Sequence, residues 1–379
     1  MIKIHGSRKN KQHHAKSQEH WYPNCAPLDA GSGLLAVFSG HMAFCSDNQF
    51  TGYDLISAGN NLALKIYDVT SKKENVIMSP YSVTSALGLL YMMADGSTAQ
   101  ELTKILGITT SRYQNVAEAY RQAMQCLGTS KQDLHMANGI FMDWRIPMKE
   151  SFKNFIRRQI DAQSENVDLS NRIEDTRRYI NRWVDQNTQH MIPEFLDEDF
   201  SRSGPKLAVL CSAVHFKKDW ARPFKKTTRE KFFSEDGTSS TVDMMSCDDT
   251  RFGIASFREI GATALRIDYK GRTQSMIALL PEGKTTVEDL AKKLKRVNLM
   301  EDILKKIPVG TDLGQEIHVS MPKFNISSKF QLLDILTEQA KELTFVKNKL
   351  MSEGLQDIES QKDGELDVPI SVVSCFLFS

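Results

Sequence analysis

The 379-residue chain has almost no excess of either charge: 48 basic residues stand against 47 acidic ones, for a formal net charge of +1. So weak an overall field gives no reason to expect nucleic acid or an anionic membrane as the main partner. Long apolar runs are missing as well. The strongest, Gly33–Cys45 and Val368–Ser379, fall well short of the ~20 residues that a membrane helix needs. No secretory signal is visible, because the opening "MIKIHGSRKNKQHHAKSQEHW" is polar and basic with no apolar segment behind it. The six cysteines (Cys25, Cys45, Cys126, Cys211, Cys247 and Cys375) are widely spaced and contain no CxxC pair. That spacing speaks against structural zinc and dithiol redox chemistry and leaves them as mostly free thiols.

Catalytic signatures are absent too. There is no GxSxG elbow, no HExxH helix and no Cys/His arrangement that sequence can support, so no catalytic residue is assigned and an enzyme is not expected. "GSGLLA" at Gly31–Ala36 has the glycine spacing of a dinucleotide fingerprint, but the preceding "CAPLDA" is no strand, and no cofactor is assigned. His13 and His14 lack the further ligands of a closed site, so no metal is assigned.

What is present describes a globular chain with a large core, 41% of its residues being hydrophobic. Residues 1–52 hold five of the nine histidines and show no sustained period, which predicts a poorly ordered extension. From Asp54 the pattern sharpens: Leu55, Leu62, Ile66 and Val69 fall on one helical face. Ser79 suits an N-cap and Pro80 the first turn of a second helix, burying Val83, Leu87 and Leu90 and stopping at Gly96. Ser97 and Gln100 form a capping box for a third, closed by Gly107. Further helices follow at 116–127, in "KESFKNFIRRQIDAQ" and in "IEDTRRYINRWVDQNTQ", the last with Ile173, Ile180 and Trp183 along one side. The second half changes character. "KLAVLCSAVHFK" and "QSMIALLPEG" read as strands apolar on both faces, "EIHVSMPKF" alternates through Ile317, Val319 and Met321, and the helix "TTVEDLAKKLKRV" lies between them. Helices first and strands later predict an α+β fold.

Two surface features carry chemistry. Lys292, Lys293, Lys295 and Arg296 lie beside the apolar stripe Val287, Leu290, Leu294 and Val297, either as a solvated helix face or as a weak polyanion contact. Asn325 in "NIS" is the single N-glycosylation pattern, which matters only in a secreted protein.

"NVIMSPYSVTSALGLLYMMADGSTAQEL" resembles the second and third helices of the serpins, a family of mostly serine-protease inhibitors. "LHMANGIFMD", "INRWVDQNTQHMIPEFL", "LAVLCSAVHFKKDWARPF", "VDMM", "IALLPEG" and "VSMPKFNISSKFQLLDIL" resemble further serpin blocks in the right order. The resemblance implies a single domain at 53–339 of about nine helices around three β-sheets. It also implies a serine endopeptidase as partner, trapped covalently when a cleaved reactive loop inserts into the central sheet as a new strand. Ser79 and Ser82 match the serines beneath the parting of that sheet (the shutter), and Trp220 matches the tryptophan where the loop first enters (the breach). Ser212 stands where the family has a sheet-opening asparagine; its shorter reach and missing amide donor imply an altered network.

The resemblance ends near Gln339. Residues 340–379 form a divergent tail, judged too short to hold a central strand, a mobile loop and the terminal strands together at ~3.3 Å per residue. Pro369 lacks the donor that a central strand requires. The C-terminal strands are therefore expected to be incomplete, the reactive bond is not identified, and covalent trapping by the chain as written is not expected. A non-inhibitory serpin-like binding protein or defective isoform is the alternative. The family implies an extracellular location, with cytoplasmic as the alternative because no signal is visible.

Overall fold

A computed structural model describes residues 3–6, 50–70, 75–94, 96–109, 113–126, 133–233, 238–295, 299–308, 315–332 and 370–378. The chain divides into two compact units, a smaller one of residues 1–41, 71–77 and 218–325 and a larger one of residues 42–70, 78–217 and 326–379. Among the described residues there are nine helices and eleven strands, numbered below in chain order.

The smaller unit contains β1 (Lys3–Gly6), β5 (Lys226–Phe233), β6 (Ser239–Phe257), β7 (Ala262–Asp268), β8 (Ser275–Pro281), α8 (Val287–Leu294), α9 (Leu299–Lys306) and β9 (Gln315–Pro322). The bonded order is β1-β9-β6-β7-β8, with β5 added to β6. The long β6 joins two ladders: on one side of a register shift between Cys247 and Thr250 it pairs with β5, and its far end, Gly253–Phe257, pairs with β7. Among the described residues the strands thus form two sheets, this six-stranded one and a five-stranded one, where the resemblance implies three. Within residues 1–52, buried Phe50, the cap Thr51 and Gly52 belong to the start of α1, and Lys3–Gly6 pairs antiparallel with Ser320–Ile317. Four residues are too few for a period to show. Residues 7–49 lie outside the described set, and with them Cys25, Cys45, His13 and His14.

The larger unit contains α1 (Gly52–Val69), α2 (Pro80–Met93), α3 (Gly96–Ile105), α4 (Tyr113–Cys126), β2 (Leu134–Asp143), α5 (Glu150–Ile160), β3 (Ala162–Val167), α6 (Ile173–Asn187), α7 (Glu198–Arg202), β4 (Ala208–Phe216), β10 (Ile326–Gln331) and β11 (Ile370–Phe378). Local chemistry explains the helix starts. Thr51 and Asp54 form a reciprocal capping box at α1, with Leu55, Leu62 and Ile66 buried below it. Gly107 adopts φ +62°, the left-handed conformation that ends a helix and favours glycine. α2 is buried on every side from Ser82 to Met93, beyond the single stripe expected, because nearly all its residues are apolar or small. Gly96 opens α3 rather than closing α2, which ends at Met93.

The five strands run β10-β11-β4-β2-β3. The tail, judged too short to hold a central strand, a mobile loop and the terminal strands together, does supply a central strand. Ile370–Phe378 lies in the middle of the sheet, antiparallel to β10 and parallel to β4 over nine registered pairs from Ile370↔Ala208 to Phe378↔Phe216. Pro369 lies outside the described residues; the described strand runs from Ile370. The segment itself is mostly β-branched and aromatic, as a strand prefers. Residues 333–369 lie outside the described set.

Candidate functional site beneath the β4/β11 seam

β4 is buried along its whole length and bonded on both sides, antiparallel to β2 and parallel to β11. A parallel ladder has slanted bonds and is slightly less stable per residue, so the β4/β11 seam is the weaker of its two boundaries. Helix α2 runs against both β4 and β11. Its N-terminus carries the polar groups.

Ser79 caps α2 with extended backbone, its side chain accepting the Ser82 N–H at 3.1 Å, and Pro80 follows at the first helical position where no N–H is needed. This cap orients Ser82, which is fully buried. The Ser82 hydroxyl lies 3.0 Å from the Ser212 carbonyl oxygen and 2.9 Å from its Oγ. Ser212 Oγ then donates to Asn138 Oδ1 at 2.7 Å. Asn138, Ser212 and Ser374 are register partners on β2, β4 and β11, so the row crosses the sheet at mid-strand. The row itself is buried, with Ser82 and Ser212 at 0% and Asn138 at 2% exposure, and in such a medium each satisfied hydrogen bond counts for more than in water.

The structure brings together Ser79, Ser82 and Ser212. It adds Asn138, which sequence reasoning passed over although it lies inside a quoted block, "LHMANGIFMD". The only signal was a polar amide in an otherwise apolar strand. Next to it, Gly139 admits the Trp183 ring, a Cβ there falling 2.9 Å from the ring edge, and Trp183 also meets Phe141 edge-on at 5.2 Å.

At the far end of β4, His215 stacks on its register partner His135 with ring centroids 5.9 Å apart. Burial first, then the charges of His135 and Lys217, hold His215 below the usual imidazole value.

The remaining candidates lie in the smaller unit. Trp220 is half-buried, stacked on Tyr269 at 4.6 Å and 11°, with Phe224 edge-on at 6.0 Å. The segment is tied down by Ala221 N–H to Asp268 O and Lys270 N–H to Asp219 O. Lys292 pairs with Glu288 at 2.9 Å, and Lys293 donates to the Ile260 carbonyl at 2.9 Å, so two amines of the basic cluster have internal partners. Lys295 caps α8, and Arg296 lies outside the described residues. Asn325 is exposed in the connection from β9 to β10. No helix among the described residues is long and apolar enough to cross a membrane.

The profile of the family described as "Serpin (serine protease inhibitor)" matches residues 57–365. Human Serpin B3 is 30% identical over 284 residues, 70% of this chain and 71% of that protein. Among solved structures, the native stressed conformation of Arabidopsis AtSerpin1 superposes with a TM-score of 0.72 at 21% identity, covering 87% of this chain and 85% of the other. Native protease nexin-1 with heparin gives 0.71 at 22% identity, covering 87% and 88%. The family match over most of the chain, the human relative and the shared architecture lead to one conclusion: this protein belongs to the serpins, a family generally of serine protease inhibitors rather than enzymes.

Proposed function

We propose that this protein controls a serine endopeptidase in the manner of its family, with the parallel β4/β11 seam as the place where the five-stranded sheet parts. The observation that supports this reading most is the buried row Ser82–Ser212–Asn138, which bonds α2 to β4 and β4 to β2 on the β4 side of the seam. A neutral polar row of this kind anchors β4 to α2 and β2, so that parting between β4 and β11 breaks none of its bonds and leaves no buried charge. The tail strand adds to the reading, since a central strand between β4 and β10 is what the family's mechanism needs beside the seam. The reactive bond is assigned to none of the 379 residues.

A second reading, a non-inhibitory serpin-like binding protein, is favoured by Ser212 in place of the family's asparagine and by a tail without the family's small-residue hinge. The two separate in one experiment: purified protein is incubated with trypsin-like, chymotrypsin-like and elastase-like enzymes and boiled in detergent. A surviving complex with any of them supports inhibition by trapping. Reversible binding, or none, with no such complex supports the second reading. The basic cluster of Lys292, Lys293, Lys295 and Arg296 is proposed only as a weak polyanion contact. Heparin accompanies protease nexin-1 in its structure, but two of these four side chains already have partners here.

A further inference from the structure

We propose that the ion pair between Asp197 and Lys329 is the fastener that must open before the β4/β11 seam can part, which rests on that seam being the place where the sheet opens. The pair reaches over a whole strand. Lys329 lies on β10 and is the register partner of Cys375 on β11, which pairs in turn with Ala213 on β4 and, through it, with Ala137 on β2. That row marks the α6 face of the sheet, because Ala213 and Ala137 share a buried cluster with Ile180 and Val184 of α6. Lys329 Nζ meets Asp197 Oδ2 at 2.5 Å, although Asp197 belongs to the segment between α6 and α7 and not to the sheet. Neighbouring strands lie about 4.8 Å apart, so β10 stands about 10 Å from β4 with β11 between them.

On the near side of the seam the segment is held by other means. Ile192, Phe195, Leu196 and Phe200 share their buried cluster with Val209 and Cys211 of β4. Asn181 on α6 holds both backbone groups of Leu196, its Nδ2 donating to the carbonyl and its Oδ1 accepting the N–H, each at 2.7 Å, and Arg177 Nη1 donates to the same carbonyl at 3.0 Å. The next residue divides its carboxylate between two tasks. Asp197 Oδ1 accepts the Phe200 N–H at 3.2 Å as the cap of α7, and Oδ2 takes Lys329. Residues 192–200 therefore form a strap that rests on β4 and is fastened to β10. The serine row cannot do this work, because Ser212 faces the opposite side of the sheet from its neighbour Ala213 and bonds only to α2 and β2. If β11 and β10 move away from β4 while the strap stays on β4, the Asp197–Lys329 pair breaks. Both side chains are partly exposed, 49% for Asp197 and 27% for Lys329, so the fastening is reversible and open to screening by salt.

The test is hydrogen exchange of the purified full chain, read by mass spectrometry on peptides covering β4 and β11, at low salt and again with sodium chloride raised. Asp197→Asn removes the charge and keeps the cap, since asparagine caps a helix as well as aspartate does. Lys329→Met keeps most of the aliphatic stem. Each should speed exchange at Ala208–Phe216 and Ile370–Phe378 about two- to fivefold at low salt, the range an exposed ion pair can supply, and leave Ala162–Val167 unchanged. Salt should speed seam exchange in the parent and not in either variant. The double variant should match the single ones, because all three lack the same contact. Lys329→Arg should restore the parental rate and its salt response, which a purely steric role for the lysine would not require. Arg202→Gln, which breaks only pairs within α7, should change nothing. A parent whose seam amides exchange by local opening, with both single variants unchanged, overturns the fastener and leaves the reading of the seam standing. Seam amides that exchange only through global unfolding in every protein overturn both. If Lys329→Met fails to fold, Asp197→Asn decides the matter.

Discussion

Replacing Ser212 by alanine should destabilise the protein more than replacing Ser82, although the two hydroxyls touch. Ser212 Oγ is the donor to Asn138 Oδ1 at 2.7 Å and a neighbour of Ser82 Oγ at 2.9 Å. Without it, the Asn138 carbonyl loses that donor in a position only 2% exposed. A buried acceptor left in that state costs about 1–3 kcal/mol, the lost bond included, so Ser212→Ala should fall in the upper part of that range. Ser82→Ala is milder, about 1 kcal/mol, because Ser212 can still donate to Asn138 and no acceptor at the end of the row is orphaned. In Ser212→Ala the Ser82 hydroxyl keeps the residue-212 carbonyl at 3.0 Å, which limits the damage to the Asn138 side. The double variant should cost less than the two single changes added together, since both remove the same contact. Urea unfolding followed by far-ultraviolet circular dichroism gives all three values and the coupling. If Ser82→Ala proves as costly as Ser212→Ala, or if the two add without coupling, the directional row proposed for the seam is wrong.

Three further outcomes are expected. Ser79→Ala should cost about 1 kcal/mol in the same unfolding assay and Ser79→Gly only a few tenths, the signature of a helix cap rather than of a group needed at the seam. Gly88→Ala should be destabilising by about 1–3 kcal/mol, despite alanine's preference for helices, because its Cβ would fall 2.1 Å from the hydroxyl oxygen of the fully buried Tyr120; a variant as stable as the parent would contradict the placement. His215 titrates below its ordinary 6.5 in the folded protein, so between that lowered value and 6.5 the unfolded chain binds the extra proton. Stability should therefore fall as pH drops through 6.5 and level off below the folded value. His215→Gln should flatten that fall in unfolding midpoints measured from pH 7.5 to 5.

Much of the helical layer was legible because its signals are local. Ser79 followed by Pro80 announces a helix start on its own, and Gly107 announces an end. The strand at Ala208–Phe216 was visible as an apolar run too short for a helix. The site was less legible because its parts gain meaning from partners far away. Asn138 matters through Ser212 on another strand, and no period in "LHMANGIFMD" marks it. The resemblance to the serpins supplied Ser82 and Ser212, which composition and spacing alone would not have singled out. The strand Ile370–Phe378 was missed for a different reason: Pro369 was weighed against the whole segment, although the nine residues after it are mostly β-branched or aromatic, as a strand prefers.

The place of Ile370–Phe378 also sets a schedule for synthesis. Its parallel partner begins at Ala208, about 160 positions earlier, so the sheet's middle is closed by one of the most sequence-distant pairings in the molecule. At about 5–20 residues per second, a ribosome needs on the order of ten seconds or more to deliver that strand after β4 has emerged. Throughout that interval β4 has β2 on one side only, and its other edge is an unpaired, mostly apolar template. Closing so long a loop is slow as well as late. The nascent chain is thus most open to strand exchange with a second copy just before Ile370–Phe378 emerges, and a chaperone that shields the β4 edge would act in that window.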